Sequence, residues 1–90
     1  MTARRTVDIV NKRGLHARAS AKFVKLAADF DAEVTVTREG QSVDARSIMG
    51  LMMLGAGIGS MLELSAEGSQ AGEALEALGE LIANRFEEDE

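Results

Sequence analysis

Apolar and polar positions alternate over residues 6–10, where β-branched residues dominate and Val7 and Ile9 share one side. This predicts a strand, ended by the polar run Asn11-Lys12-Arg13 and by a turn at Gly14. From residue 17 to residue 30 the spacing becomes helical, with Phe23, Leu26, Ala27 and Phe30 on one face. Residues 33–38 alternate cleanly and point Val34 and Val36 inward. Glu39-Gly40 reads as a tight turn and residues 41–45 as the second arm of a hairpin. Ser47 opens a short apolar helix over residues 48–54, in which Leu51 and Leu54 are expected to face the core and Met49 and Met52 to face outward. The glycine-rich residues 55–59 read as a flexible turn before a fourth strand over 60–65. A last helix over 70–84 buries Leu75, Leu78 and Ile82. Residues 86–90 read as a frayed, solvated acidic end. The order is βαββαβα. It implies an α+β two-layer sandwich, a four-stranded sheet with helices on one face.

Composition narrows the function classes. Ninety residues suit one domain, residues 1–90, and a hydrophobic share of 46% suffices for one core. The 15 acidic residues outweigh 10 basic ones for a net charge of -5, which argues against a nucleic-acid partner. Without cysteine there is no disulfide, thiolate chemistry or cysteine-bound zinc, and one histidine makes no His-rich metal site. No apolar run approaches the roughly 20 residues of a membrane span. The basic start of the chain runs into polar residues, unlike a signal peptide, so a cytoplasmic location is expected. The glycines of residues 55–59 lack the lysine of a P-loop and the spacing of a dinucleotide fingerprint.

The chemistry points to residues 14–18. His16 falls just before the first turn of the first helix, where the free N–H groups of Ala17 and Arg18 favour an anion. Arg18 adds planar donors suited to phosphate oxygens. A free imidazole has a pKa of about 6.5, so its neutral, nucleophilic form is available at neutral pH. A phosphoryl group on the ring would be held by these amides and by Arg18.

Gly14-Leu15-His16-Ala17-Arg18-Ala19-Ser20 resembles the active-site segment of the HPr family, the histidine-containing phosphocarriers of the phosphoenolpyruvate-dependent phosphotransferase system. The segment from Arg46-Ser47-Ile48-Met49 through Gly55 resembles that family's second signature, around its regulatory serine. The resemblance implies an open-faced β-sandwich with three helices on one side of four strands. It implies phosphorylation of His16 on Nδ1, with Arg18 steadying the group and the backbone of Ala17 and Arg18 beside it. It implies Ser47 as the target of an HPr kinase/phosphorylase. Enzyme I and enzyme IIA proteins are the implied partners, with neither a metal nor a bound cofactor needed, and a monomer is expected. Ile48, Met49 and Met52 form the expected docking patch, rimmed by Arg18, Lys22, Lys25 and Arg46.

Three features depart from the family pattern. Ala19 stands where proline is usual, Ala28 stands where lysine is frequent, and the chain runs on in an acidic stretch. A competing reading is a signalling module, of a regulatory or nitrogen-related branch, acting through Ser47. Retention of both His16 and Arg18 argues against pure signalling. A small-molecule-binding domain is a third reading, for which the chain offers no apolar pocket with convergent polar groups.

Overall fold

The computed structural model describes residues 2–89, so Met1 and Glu90 lie outside the described residues. Strand β1 (Thr2–Asp8) is followed by helix α1 (Ala17–Ala27), strands β2 (Glu33–Arg38) and β3 (Gln41–Asp44), helix α2 (Ile48–Met53), strand β4 (Met61–Glu67) and helix α3 (Ala71–Ala83). The strands form one antiparallel sheet in the order β1-β4-β2-β3. The element order and the two-layer α+β form are as the periodicity implied, and the open-faced sandwich is as the resemblance implied.

The register explains the two-layer form. Val36 lies opposite Leu64 on one side and Val43 on the other, and Val7 lies opposite Leu62. Val34, Val36, Leu62, Leu64 and Ala66 are buried toward the helices, while the alternate positions Glu63 and Glu67 are exposed. Leu75, Leu78 and Ile82 of α3 meet them, together with Ala19, Phe23 and Ala27 of α1. In α2, Leu51 and Leu54 face the core and Met49 and Met52 face outward, as expected.

Several boundaries move, each for a physical reason. β1 begins at Thr2, because Thr2 to Asp8 all pair with β4; backbone pairing carries a stretch that has little apolar alternation. α1 stops at Ala27. Asp29 N–H turns to the Leu26 carbonyl, and Asp31 leaves to exchange bonds with Gln70: Asp31 N–H donates to Gln70 Oε1 at 2.7 Å and Gln70 N–H to the Asp31 carbonyl at 3.0 Å. These acidic residues would have opposed the helix dipole had the helix continued. β4 runs on to Glu67, where it pairs with β1 and β2 together.

The largest correction concerns residues 86–90. Phe86 is 0% exposed and belongs to the core, so residues 86–89, the described part of this segment, are not a frayed, solvated end. A single turn, Arg85–Glu87, reverses the chain after α3 and returns it to the loop before α1.

Candidate functional site

His16 is the N-cap of α1, with extended backbone (φ -74°, ψ 179°). Its carbonyl accepts the first helical bond, from Ser20 N–H at 2.9 Å, and its imidazole makes no capping bond. The N–H groups of Ala17, Arg18 and Ala19 therefore have no acceptor within the helix, and they give this end its positive character. Ser20 is buried and its hydroxyl donates to the Leu15 carbonyl at 3.2 Å, tying the first turn to the preceding loop.

That loop is fixed from two sides. Gly14 adopts φ +66°, and a Cβ there would lie 2.8 Å from Gly57 Cα, so only glycine fits. Leu15 N–H donates to the Ala56 carbonyl at 2.9 Å. The segment read as a flexible turn thus braces the histidine loop, with Ala56 itself buried.

The chain's far end completes the site. Arg85, Phe86 and Glu87 all take positive φ (58°, 53° and 64°), a left-handed run in residues that have side chains. Buried Phe86 anchors this turn, and Lys22 Nζ donates to the Phe86 carbonyl at 2.8 Å. Glu88 then reaches back to the loop. Its Oε1 accepts from Asn11 Nδ2 at 3.0 Å, and its Oε2 pairs with His16 Nε2. Asn11 is itself buried, and its Nδ2 also donates to the Gly14 carbonyl at 3.0 Å. Two oxygens facing Nδ2 fix the amide orientation. Asn11 Oδ1 has no partner among the described residues.

Electrostatics follow from this packing. Burial pushes the Glu88 carboxyl up, but hydrogen bonds from Asn11 and His16, with the charges of His16 and Arg13, outweigh it and hold the group below its ordinary range. An ionised carboxylate only accepts, so in the neutral imidazole the proton sits on Nε2 and Nδ1 keeps its lone pair. The side chains of His16 and Glu88 are 23% and 18% exposed, so the pair is partly screened from bulk water. Arg18, the second residue of α1, lines an open cleft with Arg13, Lys22, Glu87, Glu88 and Asp89.

The other expected site residues lie on the exposed side of the helices. Ser47 caps α2, its Oγ accepting from Gly50 N–H at 2.9 Å. Met49 and Met53 are 70% and 68% exposed, and Ile48 and Met52 also present apolar surface. α2 packs against α1, so this patch adjoins the helix that begins at His16. Lys25 is exposed in the last turn of α1. Two rim cations are engaged within the chain. Lys22 holds the C-terminal turn and lies 3.7 Å from Glu87, and Arg46 bonds both carboxylate oxygens of Asp44 (3.3 and 3.2 Å). The Arg46 bonds hold the Asp44 carboxyl below its ordinary range. Among the described residues no group of three or more His, Cys, Asp or Glu could hold a metal, and no helix is long and apolar enough to cross a membrane.

Sequence reasoning passed over Asn11, Ala56, Phe86 and Glu88. Phe86 carried a usable signal, since a chain with only three aromatic residues seldom leaves one in water. Asn11 and Glu88 gave none, because their roles depend on a contact 77 residues apart.

Comparison with known proteins agrees with the fold. Residues 3–84 match the family model described as PTS HPr component phosphorylation site. The phosphocarrier protein HPr of Cupriavidus necator is 56% identical over 86 residues, covering 96% of this chain and 97% of that protein. The HPr of Pseudomonas aeruginosa is 55% identical over 85 residues, covering 93% and 94%. Among solved structures, HPr-C-His from Thermoanaerobacter tengcongensis superposes with a TM-score of 0.93 at 43% identity, covering 98% of this chain and 99% of that one. The family model ends before Phe86 and Glu88.

Proposed function

This chain belongs to the HPr family, the phosphocarriers of the phosphotransferase system, and from that premise we propose that His16 Nδ1 is the atom that carries the phosphoryl group. As a phosphocarrier the protein is not a stand-alone catalyst. The observation that carries the assignment is His16 at the N-cap of α1, its Nε2 occupied by Glu88 and its Nδ1 left as the nucleophile. The unpaired amides of Ala17 and Arg18 and the Arg18 guanidinium would hold the phosphoryl oxygens. Such a transfer needs positioning and charge stabilisation and little else.

The donor in this reading is enzyme I charged by phosphoenolpyruvate, and the acceptors are enzyme IIA proteins. Both meet the apolar face of Ile48, Met49 and Met52, with Arg18 and Lys25 supplying positive charge beside it. Lys22 and Arg46 contribute less, because each already holds an internal partner. Methionine suits a surface that receives several partners weakly. The carrier acts as a monomer in the cytoplasm.

Ser47 is the regulatory site in this reading, as a substrate of an HPr kinase/phosphorylase. A phosphate there keeps favourable contact with the start of α2 while placing charge beside the apolar patch, which hinders docking. Incubation with the purified kinase and ATP should add phosphate to wild type and none to Ser47→Ala.

Intact-mass spectrometry tests the main assignment. Wild type mixed with enzyme I, Mg²⁺ and phosphoenolpyruvate should gain one acid-labile phosphate, and His16→Ala none. Absence of phosphate on wild type, with enzyme I active on another HPr, would overturn it.

A further inference from the structure

We propose that Glu88 is a positioning residue for phosphoryl transfer: its carboxylate keeps the proton on His16 Nε2 and opposes the positive charge that the ring gains with the phosphoryl group. The proposal rests on His16 being the phosphorylated residue.

The contact is built, not incidental. One Glu88 oxygen meets Nε2 while the other is held by Asn11, a buried residue anchored on the Gly14 carbonyl. The backbone that delivers Glu88 passes through three successive residues of positive φ, with Phe86 in the core and Lys22 on its carbonyl. Backbone in that region is unfavourable for residues with a Cβ and persists only where the surroundings impose it. Glu88 lies beyond residues 3–84, the span that the family model matches.

The charge changes identify the role. Nδ1 gives its lone pair to phosphorus and a P–N bond forms. The bond from phosphorus to the donor's leaving atom breaks, and its electron pair stays with the donor. No proton leaves the ring, so the phosphorylated imidazole keeps Nε2–H and carries one positive charge. On delivery the P–N electron pair returns to Nδ1, and the ring is neutral again. A fixed carboxylate at Nε2 stabilises the charged ring more than the neutral one, as the aspartate does beside a catalytic histidine in serine hydrolases. The lowered pKa of Glu88 keeps that carboxylate ionised throughout the neutral range.

Steady-state transfer from enzyme I to wild type and to Glu88→Gln tests this. A glutamine amide cannot accept from both Asn11 Nδ2 and His16 Nε2–H, and it brings no charge. The expected result is a fall in kcat of about tenfold with little change in KM. Glu88→Asp, which keeps the charge, should recover part of the loss. Glu63→Gln and Glu67→Gln, which remove exposed carboxylates on the sheet, should stay within about twofold of wild type. An unchanged kcat for Glu88→Gln, an effect confined to KM, or equal losses in the two control variants would overturn the proposal while leaving the carrier assignment intact. A wild type that takes no phosphate would instead overturn both.

Discussion

Lys22 Nζ and the Phe86 carbonyl, 64 residues apart in the chain, are 2.8 Å apart in the structure. A cation in the second turn of α1 thereby fixes the turn that follows α3. Because the same turn presents Glu88 to His16, the packing of a phenylalanine ring and the geometry of a histidine ring are mechanically joined.

Phe86→Ala should therefore cost stability and loosen the site together. Removing a fully buried phenylalanine from a core costs about 3 kcal/mol or more. Urea unfolding measures the loss. A change below about 0.5 kcal/mol, the range of ordinary surface substitutions, would mean that the ring does not sit in the core.

Relief of the left-handed turn should act in the opposite direction. Arg85 is exposed at φ 58°, a conformation that costs a residue with a Cβ about 1–2 kcal/mol. Arg85→Gly should raise stability or leave it unchanged, despite the greater freedom of glycine in the unfolded chain. Ala83→Gly, at the end of α3, should lower it by up to about 1 kcal/mol. Thermal unfolding of the two variants side by side gives opposite signs if the turn is as described.

Stability should also depend on the charge of Glu88. Its folded pKa lies below the unfolded value, so its contribution is fully present above the ordinary carboxylate range and fades as pH falls through the folded value. The difference in unfolding free energy between wild type and Glu88→Gln should shrink as pH falls through that folded value. A difference that persisted undiminished below the folded value would contradict the assignment of the carboxylate as acceptor.

Ser47→Ala should lose the α2 cap, about 1 kcal/mol. Ser47→Asp, whose carboxylate also caps and favours a helix start, should keep most of it. Chemical denaturation separates the two. No loss of stability in Ser47→Ala would show that the hydroxyl's bond to Gly50 N–H contributes nothing.

The apolar patch has a complementary test. Met49 is 70% exposed, so Met49→Glu should shift stability by no more than about 0.5 kcal/mol. It should nevertheless weaken association with enzyme I by about tenfold, read by titration calorimetry. Unchanged association would place docking elsewhere.

How much of this was legible in the sequence follows from how local each determinant is. The β2–β3 hairpin was readable because Val34 and Val36 alternate and Glu39-Gly40 supplies the turn, all within a few residues. Ser47 was readable as a cap because capping is settled by the next three residues. His16 was readable from the glycine before it and the helix after it. The first half of β1 was not, since Arg4 and Arg5 carry no apolar alternation and pair only because Ser65 and Leu64 lie opposite. Phe86 looked solvated because acidic residues follow it, yet the turn that buries it bends back between them. The internal partner of Lys22 was not readable, because it is a backbone oxygen far along the chain.

The order of strands in the sheet bears on how the protein is made. Thr2 pairs with Glu67 and Asp8 with Met61, so β1, made before β2, β3 and β4, waits for β4 before it has a neighbour. Only the hairpin of β2 and β3 can close from adjacent chain during synthesis. β1 meanwhile presents a bare edge, open to pairing with other nascent chains. Pairing of His16 with Glu88 comes later still, since Glu88 follows β4 and α3 in the chain. A polypeptide that stopped short of Glu88 would build the sheet and leave its histidine unheld.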